Sequence, residues 1–379
     1  MHNHTRRDFF STLLGRTLAG ASILELAWHR AAWAQAMSAT ASTQLFDIEK
    51  AADGVYFAHA RPQAEINCNA AIFVNSGDVL VVDAHSKPSA AASLIAQIKK
   101  EITPKPVRYV VNSHFHWDHT QGNHAYRVAE TKIDFIASDA TKQLLSDLGK
   151  ARLEASLEQV GGQIDALRGR AAKSSYPAEK AFCAEQIRQL EAYRAEMQNY
   201  TLELPTITFS TSHVIKDQAH DLHIEYHGHA HTVGDVVVFC PQKRAVATGD
   251  MIHGFLPFIA DGFPKSWPKT IDSVAKLDFA QVLPGHGPLH RDRQTMTNLR
   301  NYIDELTGKV AEGKQAGKSV ADLEKTITVA SLKSLQSNGY AKFLVDVERV
   351  SEPNFGPPAP LQNGVNANIA DIYKNLDRV

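Results

Sequence analysis

The run SHFHWDHTQGN, residues 113–123, follows the apolar stretch VRYVVN and packs His114, His116, Asp118 and His119 into six residues. Neutral imidazole and carboxylate are donors that zinc and neighbouring divalent metals accept. On an extended or loop backbone, alternate side chains such as His114 and His116 share one face, while Asp118 and His119 can turn toward a second position. One short loop can therefore feed two metals, provided the rest of the chain folds so that more ligands converge on it. The chain has 18 His, so a local cluster alone decides little. The downstream segments HGHAHTVGD, ATGDMIHG and VLPGHGPLH decide more, because each lies after or beside an apolar, strand-like run and together they offer His231, Asp250 and His286 in order.

These four segments carry a resemblance. HFHWDH matches the HxHxDH signature of the metallo-β-lactamase superfamily, and AHTVGD, TGDM and LPGHG resemble its later metal motifs, over roughly residues 45 to 300 with a long interruption. The resemblance implies that His114, His116 and His231 bind a first metal, that Asp118, His119 and His286 bind a second, and that Asp250 bridges them. It selects His231 over His229, since the family ligand directly precedes Thr in this motif. It also implies that Asp83, at a strand end, supports the metal loop. β-Lactamases of the best-known subclasses resemble this pattern but carry Cys where Asp250 stands, and others have no ligand there. The Asp version is more similar to glyoxalase II and the broad hydrolase branch.

The N-terminal stretch HTRRDFFSTLLGRTLAGASILELAWHRAAWAQA pairs Arg6 with Arg7 ahead of Asp8, Phe9, Phe10 and a mildly apolar run. It resembles a twin-arginine export signal, with Ala34, Gln35 and Ala36 as an A-x-A cleavage site and a mature chain beginning near Met37. The expected compartment is the bacterial periplasm or the cell exterior, and the export machinery is an expected partner. Arg16, Glu25, His29 and Arg30 interrupt the apolar run, so a membrane span is not expected. Lys plus Arg number 40 against 41 Asp plus Glu, which leaves no basic stripe to attract nucleic acid. Cys68, Cys183 and Cys240 lie far apart with no CxxC spacing, as buried thiols rather than a zinc knuckle or disulfide framework.

Within residues 37–300, GVYFAHA and NAAIFVNSGDVLVVDA read as strands, the latter a hairpin turning at Ser76, Gly77 and Asp78. Ser89 to Lys100 reads as a helix with Ala92, Ile95, Ala96 and Ile98 on its apolar side. Pro104 and Pro106 end it and launch the strand that leads into the metal loop. From about 141 to 200 the character changes: Leu153, Leu157, Val160, Ile164 and Leu167 step by four and three, a break at Ser174–Pro177 follows, and a second helical run carries Ile187, Leu190 and Met197. This predicts an inserted helical hairpin that walls or caps the active site, pairs two subunits, or merely stiffens the fold. LHIEYH, DVVVF, RAVATGD and AQVLPGHG repeat the strand logic of the first half, with a helix over Thr270 to Leu277. Two βαβ-containing halves facing each other predict an α/β fold, a four-layer αββα sandwich. Residues 301–379 read as a helical C-terminal extension, broken by the Pro-rich SEPNFGPPAP and available for packing or dimer contacts.

A bound divalent metal lowers the pKa of its water from about 15.7 to near 7, and two metals about 3.5 to 4 Å apart can hold the resulting hydroxide between them. With no G-x-S-x-G elbow, metal-activated water is the simplest nucleophile, and Asp118 is the catalytic candidate that orients it and takes its proton. The expected activity is that of a dinuclear zinc hydrolase acting on a small carbonyl substrate, with a β-lactam as one candidate. A thioesterase or lactonase of the glyoxalase II-like branch is the alternative, and an iron-dependent sulfur-compound dioxygenase is the alternative from another class. His253, Phe255, Phe258 and Phe263 are candidates for an apolar pocket wall, and Trp117 for a packing aromatic.

Overall fold

The computed structural model describes residues 45–61, 68–130, 132–198, 200–351 and 360–378. The export signal expected over residues 1–36 lies outside them. Strands β1 (Phe46–Ala52), β2 (Val55–Ala60), β3 (Ala70–Val74) and β4 (Val79–Val82) form an antiparallel meander. Helix α1 (Pro88–Gln97) crosses back to β5 (Val107–Val111), which lies parallel to β4. Short helices α2 (Trp117–Thr120) and α3 (Asn123–Ala129) lead to β6 (Asp134–Ser138), and the long helices α4 (Asp139–Lys173) and α5 (Pro177–Met197) intervene before β7 (Ile207–Phe209) closes the seven-stranded sheet in sequential order.

The second sheet has five strands in the order β12-β11-β10-β9-β8. They are β8 (Ser212–Ile215), β9 (Leu222–Tyr226), β10 (Val236–Cys240), β11 (Ala245–Gly249) and, after helix α6 (Trp267–Val274), β12 (Gln281–Pro284). The tail adds α7 (Gln294–Gln315), α8 (Val320–Thr326), α9 (Lys333–Gln336), α10 (Tyr340–Ser351) and α11 (Leu361–Asn375).

Side-chain alternation along the central strands builds the layers. On β4, Val79 and Val81 face a core shared with Leu94 of α1 and Tyr126 of α3, while Leu80 and Val82 face the second sheet. On β10, Val236, Val238 and Cys240 meet them there, and Val237 and Phe239 point outward to Trp267 and Ile271 of α6 and to α7. Three apolar seams thus separate four layers, the αββα sandwich expected. Fully burying one such Val, Leu or Phe side chain contributes about 1.5–3 kcal/mol, so the seams dominate the layering.

Several details differ from expectation. The buried face of α1 is Ala91, Leu94 and Ile95, with Ile98 just beyond; Ala92 and Ala96 are only half-buried. Positions 91, 94, 95 and 98 form the i, i+3, i+4, i+7 set, and the larger Leu94 at its centre sets the face. A π-helical turn, Ile98–Ile102, replaces the expected last α turn. Helix α6 starts and ends three residues earlier than predicted because Trp267 anchors its first turn through Nε1–H to the Met251 carbonyl at 2.9 Å. The hairpin is continuous with β6 from Asp139, where Ser138 caps α4 by accepting the Thr141 N–H. Residue 300 falls inside α7, which packs on the second sheet together with Val365, Ile369 and Ile372 of α11. Cys68, Cys183 and Cys240 are all free and buried. Among the described residues no helix is long and apolar enough to cross a membrane.

Candidate metal centre

The ligand candidates lie at the carboxyl ends of strands from both sheets. The loop after β5 supplies His114, His116, Asp118 and His119; the loop after β9 supplies His231; Asp250 follows β11 directly, and His286 follows β12. All seven come together. Ligand atoms of His114, His116 and His231 lie within 4.8 Å of one another, as do those of Asp118, His119 and His286. The Asp250 carboxylate faces both groups, with Oδ1 at 3.3 Å from His119 Nε2 and Oδ2 at 3.4, 3.6 and 3.9 Å from Nε2 of His286, His231 and His114. His229 is elsewhere, its ring 4.4 Å from that of Phe263.

Hydrogen bonds choose which nitrogen each imidazole offers. Asp83 has a left-handed backbone, φ 70°, and accepts from Ser113 N–H at 2.8 Å and Ser113 Oγ at 2.9 Å. It also pairs with His119 Nδ1 at 2.8 Å, so that nitrogen carries a proton and Nε2 is turned toward Asp118 and Asp250. Ser113 Oγ, having donated to Asp83, accepts from His114 Nδ1 at 3.0 Å and leaves His114 Nε2 free. His116 is reversed. Its Nε2 donates to Asp261 Oδ2 at 2.9 Å, and its Nδ1 faces His231 Nε2 at 2.9 Å. The support that family resemblance implied for Asp83 is thus visible as contacts; Asp261 has no sequence signal of its own.

Glycines let the backbone into this space. A Cβ on Gly285 would stand 2.2 Å from Asp250 Oδ1, and Gly249 adopts φ +50° where a Cβ would meet Ser113 Oγ at 2.2 Å.

The electrostatics are those of a concentrated anionic pocket lined by imidazole. Burial, with His119 and His116 as neighbours, pushes His114 well below the usual histidine range; burial and His116 do the same to His231. For His119, burial opposes the proton, but Asp250, Asp118 and Asp83 outweigh it and hold the group well above that range. His286 is likewise drawn up to about 10 by Asp250 and Asp118 against burial. Asp118 and Asp250 stay ionised because His119 and His286 outweigh their desolvation. His114 Nε2, His119 Nε2 and Asp250 Oδ1 are buried with no hydrogen-bond partner. Buried polar atoms in a folded protein have partners, and divalent cations answer all three at once. The donors therefore fit metal binding. Cys68 groups with Asp83 and His119 as well, but burial pushes its thiol up to about 12, and Asp83 and His119 already satisfy each other.

His253 is the histidine that sequence reading left as a pocket-wall candidate. It is buried, its Nδ1 and Nε2 have no partner, and Nε2 is 3.7 Å from Asp250 Oδ2. With His231 and Asp250 it forms a further group able to hold a metal ion. Its position three residues after a strand-end ligand was the available signal. Phe258 is the exposed aromatic of the wall, with its ring 5.8 Å from His116 and 6.2 Å from His231; Phe255 lies 6.2 Å from His286. Trp117 packs outward against Tyr193 of the hairpin. Three other histidines are held in structural contacts: His124 pairs with Glu203 at 3.0 Å, His227 with Glu225 and Ser273, and His290 is buried beside Thr295.

An αββα scaffold with imidazoles and carboxylates converging between its sheets defines a class of metal-dependent hydrolases. The model of the metallo-beta-lactamase superfamily matches residues 64–286, and the chain belongs to that superfamily. Among solved structures it is similar to the metallo-beta-lactamase from Pontibacter korlensis, at 18% identity and TM-score 0.48, covering 67% of this chain and 98% of that one. A metallo beta lactamase from Erythrobacter litoralis with beta mercaptoethanol in the active site gives 17%, 0.49, 69% and 98%. One from Hirschia baltica gives 18%, 0.48, 68% and 97%. No curated protein matches the chain.

Proposed function

We propose that this enzyme is a dinuclear zinc hydrolase of small carbonyl substrates, with His114, His116 and His231 holding one metal, Asp118, His119 and His286 the other, and Asp250 shared. The observation that carries this reading is the single Asp250 carboxylate lying 3.3–3.9 Å from ligating nitrogens of both triads. Hard carboxylates and borderline imidazoles, without an available thiolate, suit zinc. Bound metals would supply Lewis acidity and an acidified water. The chain's own contribution is orientation and proton handling. Asp83, Ser113 and Asp261 fix the imidazole tautomers. Asp118, at 3.1 Å from His286 Nε2 and 3.4 Å from His119 Nε2, is ionised and placed to accept a proton from water and pass it to a leaving group.

Metal content and a substrate panel test the reading. Two zinc ions per chain with chelator-sensitive hydrolysis of nitrocefin, thioesters or lactones is the expected result. Nitrocefin turnover near 10⁴ M⁻¹s⁻¹ or above, about the lower end of ordinary enzyme efficiency, would single out β-lactams. Thioester or lactone preference would follow the Asp250 pattern, and one iron with oxygen uptake would replace hydrolysis by sulfur oxidation. We also propose twin-arginine export to the periplasm, supported by Arg6, Arg7 and the apolar run behind them; loss of export on Arg6→Lys plus Arg7→Lys tests it.

A further inference from the structure

The hairpin α4–α5 closes on itself through Val160, Ile164, Leu190, Tyr193 and Met197. Beside that seam runs a groove with a volume of about 750 Å³, which leads to the metal loop. Its inner end is formed by Trp117, which stands between the ligand candidates His116 and Asp118, and by Phe258, whose ring faces His116 and His231. Phe258 is 53% exposed, an unusual state for a phenylalanine against a polar centre. Its outer end reaches Leu167 and Phe182. From Arg152 to Leu167 along α4, at about 1.5 Å per residue, the groove is roughly 22 Å long.

The lining says what it accepts. Apart from alkyl and aromatic side chains it presents Ser156, Gln159, Gln163 and Gln186, which are neutral, and one cation, Arg152. Arg152 is committed: both of its terminal nitrogens bond the Asp261 carboxylate at 2.9 Å. Burial pushes the Tyr193 hydroxyl up to about 12, so it too is neutral. No uncompensated charge remains to hold an anionic group, and desolvating one there would be costly. A neutral alkyl or aromatic chain gains from burial in proportion to the apolar area it removes from water.

We propose that this groove is the subsite for the non-reacting part of the substrate, and that the substrate class is a carbonyl compound carrying an extended, uncharged, apolar chain. The proposal rests on the hydrolase reading for the reacting end. The groove itself is made by the hairpin, so the insert sets specificity rather than chemistry.

The test uses the full mature protein, metal-free and zinc-loaded, and the neutral fluorescent probe N-phenyl-1-naphthylamine. Decanamide is expected to displace the probe at least tenfold better than acetamide in both forms, because the chain site does not need the metals. The double variant Gln163→Glu plus Ala166→Glu places two charges at exposed positions of the groove. It should weaken probe binding at least tenfold while zinc content stays unchanged. Equal displacement by the two amides, or undiminished probe binding by the double variant, overturns the proposal. For turnover, the ratio of kcat/KM for a decanoyl over an acetyl thioester should fall at least tenfold in the same variant. Chain binding that passes this test, with no carbonyl compound hydrolysed, would remove the hydrolase reading and leave the groove.

Discussion

Arg152 of α4 and Asp261 form a two-bond ion pair, both nitrogen–oxygen distances 2.9 Å, across 109 residues of sequence. Asp261 in turn accepts from His116 Nε2, and despite burial these two partners hold its carboxyl well below the usual carboxylate range. The Arg152 guanidinium also lies 4.5 Å from the Phe115 ring. The tail reinforces the same loop from the other side, where Asn375 Nδ2 donates to the carbonyls of Ile259 and Ala260 at 2.9 and 3.0 Å. The insert and the C-terminal helix therefore converge on one carboxylate that orients the imidazole of one ligand candidate, His116.

Removing that carboxylate should loosen metal at the His114–His116–His231 group. Loss of an outer hydrogen-bond partner of a metal-binding histidine costs about 10–100-fold in affinity. Asp261→Ala is expected within that range in zinc competition against a chelator dye, with Arg152→Ala smaller because Asp261 keeps its bond to His116. An Arg152→Ala effect larger than that of Asp261→Ala would show that the insert acts by another route.

His231 and His229 separate the site from its surroundings. His231→Ala should lower zinc stoichiometry, whereas His229→Ala, which removes a ring packed on Phe263, should leave it intact. Asp118→Ala should reduce turnover about a hundredfold or more through loss of its proton-transfer role alone, with the circular dichroism spectrum unchanged. Near-normal turnover would remove Asp118 from the mechanism.

Gly285→Ala tests how closely the backbone approaches the centre. The added methyl would fall 2.2 Å from Asp250 Oδ1 and 2.9 Å from His119 Cε1, so the carboxylate must move. Zinc affinity should drop at least about tenfold. Crystallography or metal analysis showing an undisturbed two-metal site would refute the close approach.

Acid should destabilise the metal-free protein through its buried neutral histidines. Burial pushes His290 down to about 4, and lowers His59 and His220 as well. The unfolded imidazole takes its proton near 6.5, the folded one only near 4, so stability is full above the first value and falls as pH drops toward the second. From pH 7 to pH 5, His290 accounts for about 2 kcal/mol. Urea titrations at the two pH values should show His290→Leu losing less by about that amount, and an unchanged pH slope would contradict the burial.

Much of this protein is written locally. The short apolar runs at β4, β10 and β12, the turn at Ser76–Asp78 and the heptad steps of α4 each state their element within a few residues, because run length, helical period and turn chemistry are local constraints. The seven ligand candidates were legible for the same reason, each riding a strand end in a short polar motif. Ala92 and Ala96 misled because small residues contribute little to choosing a helix face once Leu94 is in place. What the chain could not declare locally is which distant groups meet. Asp261 and Arg152 carry no motif, since their roles depend on contacts made across the sheets and with the insert. The sequence by itself determined the layered α/β fold and the candidates for the metal centre. Only the tertiary structure decided which imidazole nitrogens face the centre, that the insert grips the loop behind His116, and that a neutral groove runs from Phe258 along the hairpin, because hydrogen-bond partners and cavity walls are made by residues far apart in the chain.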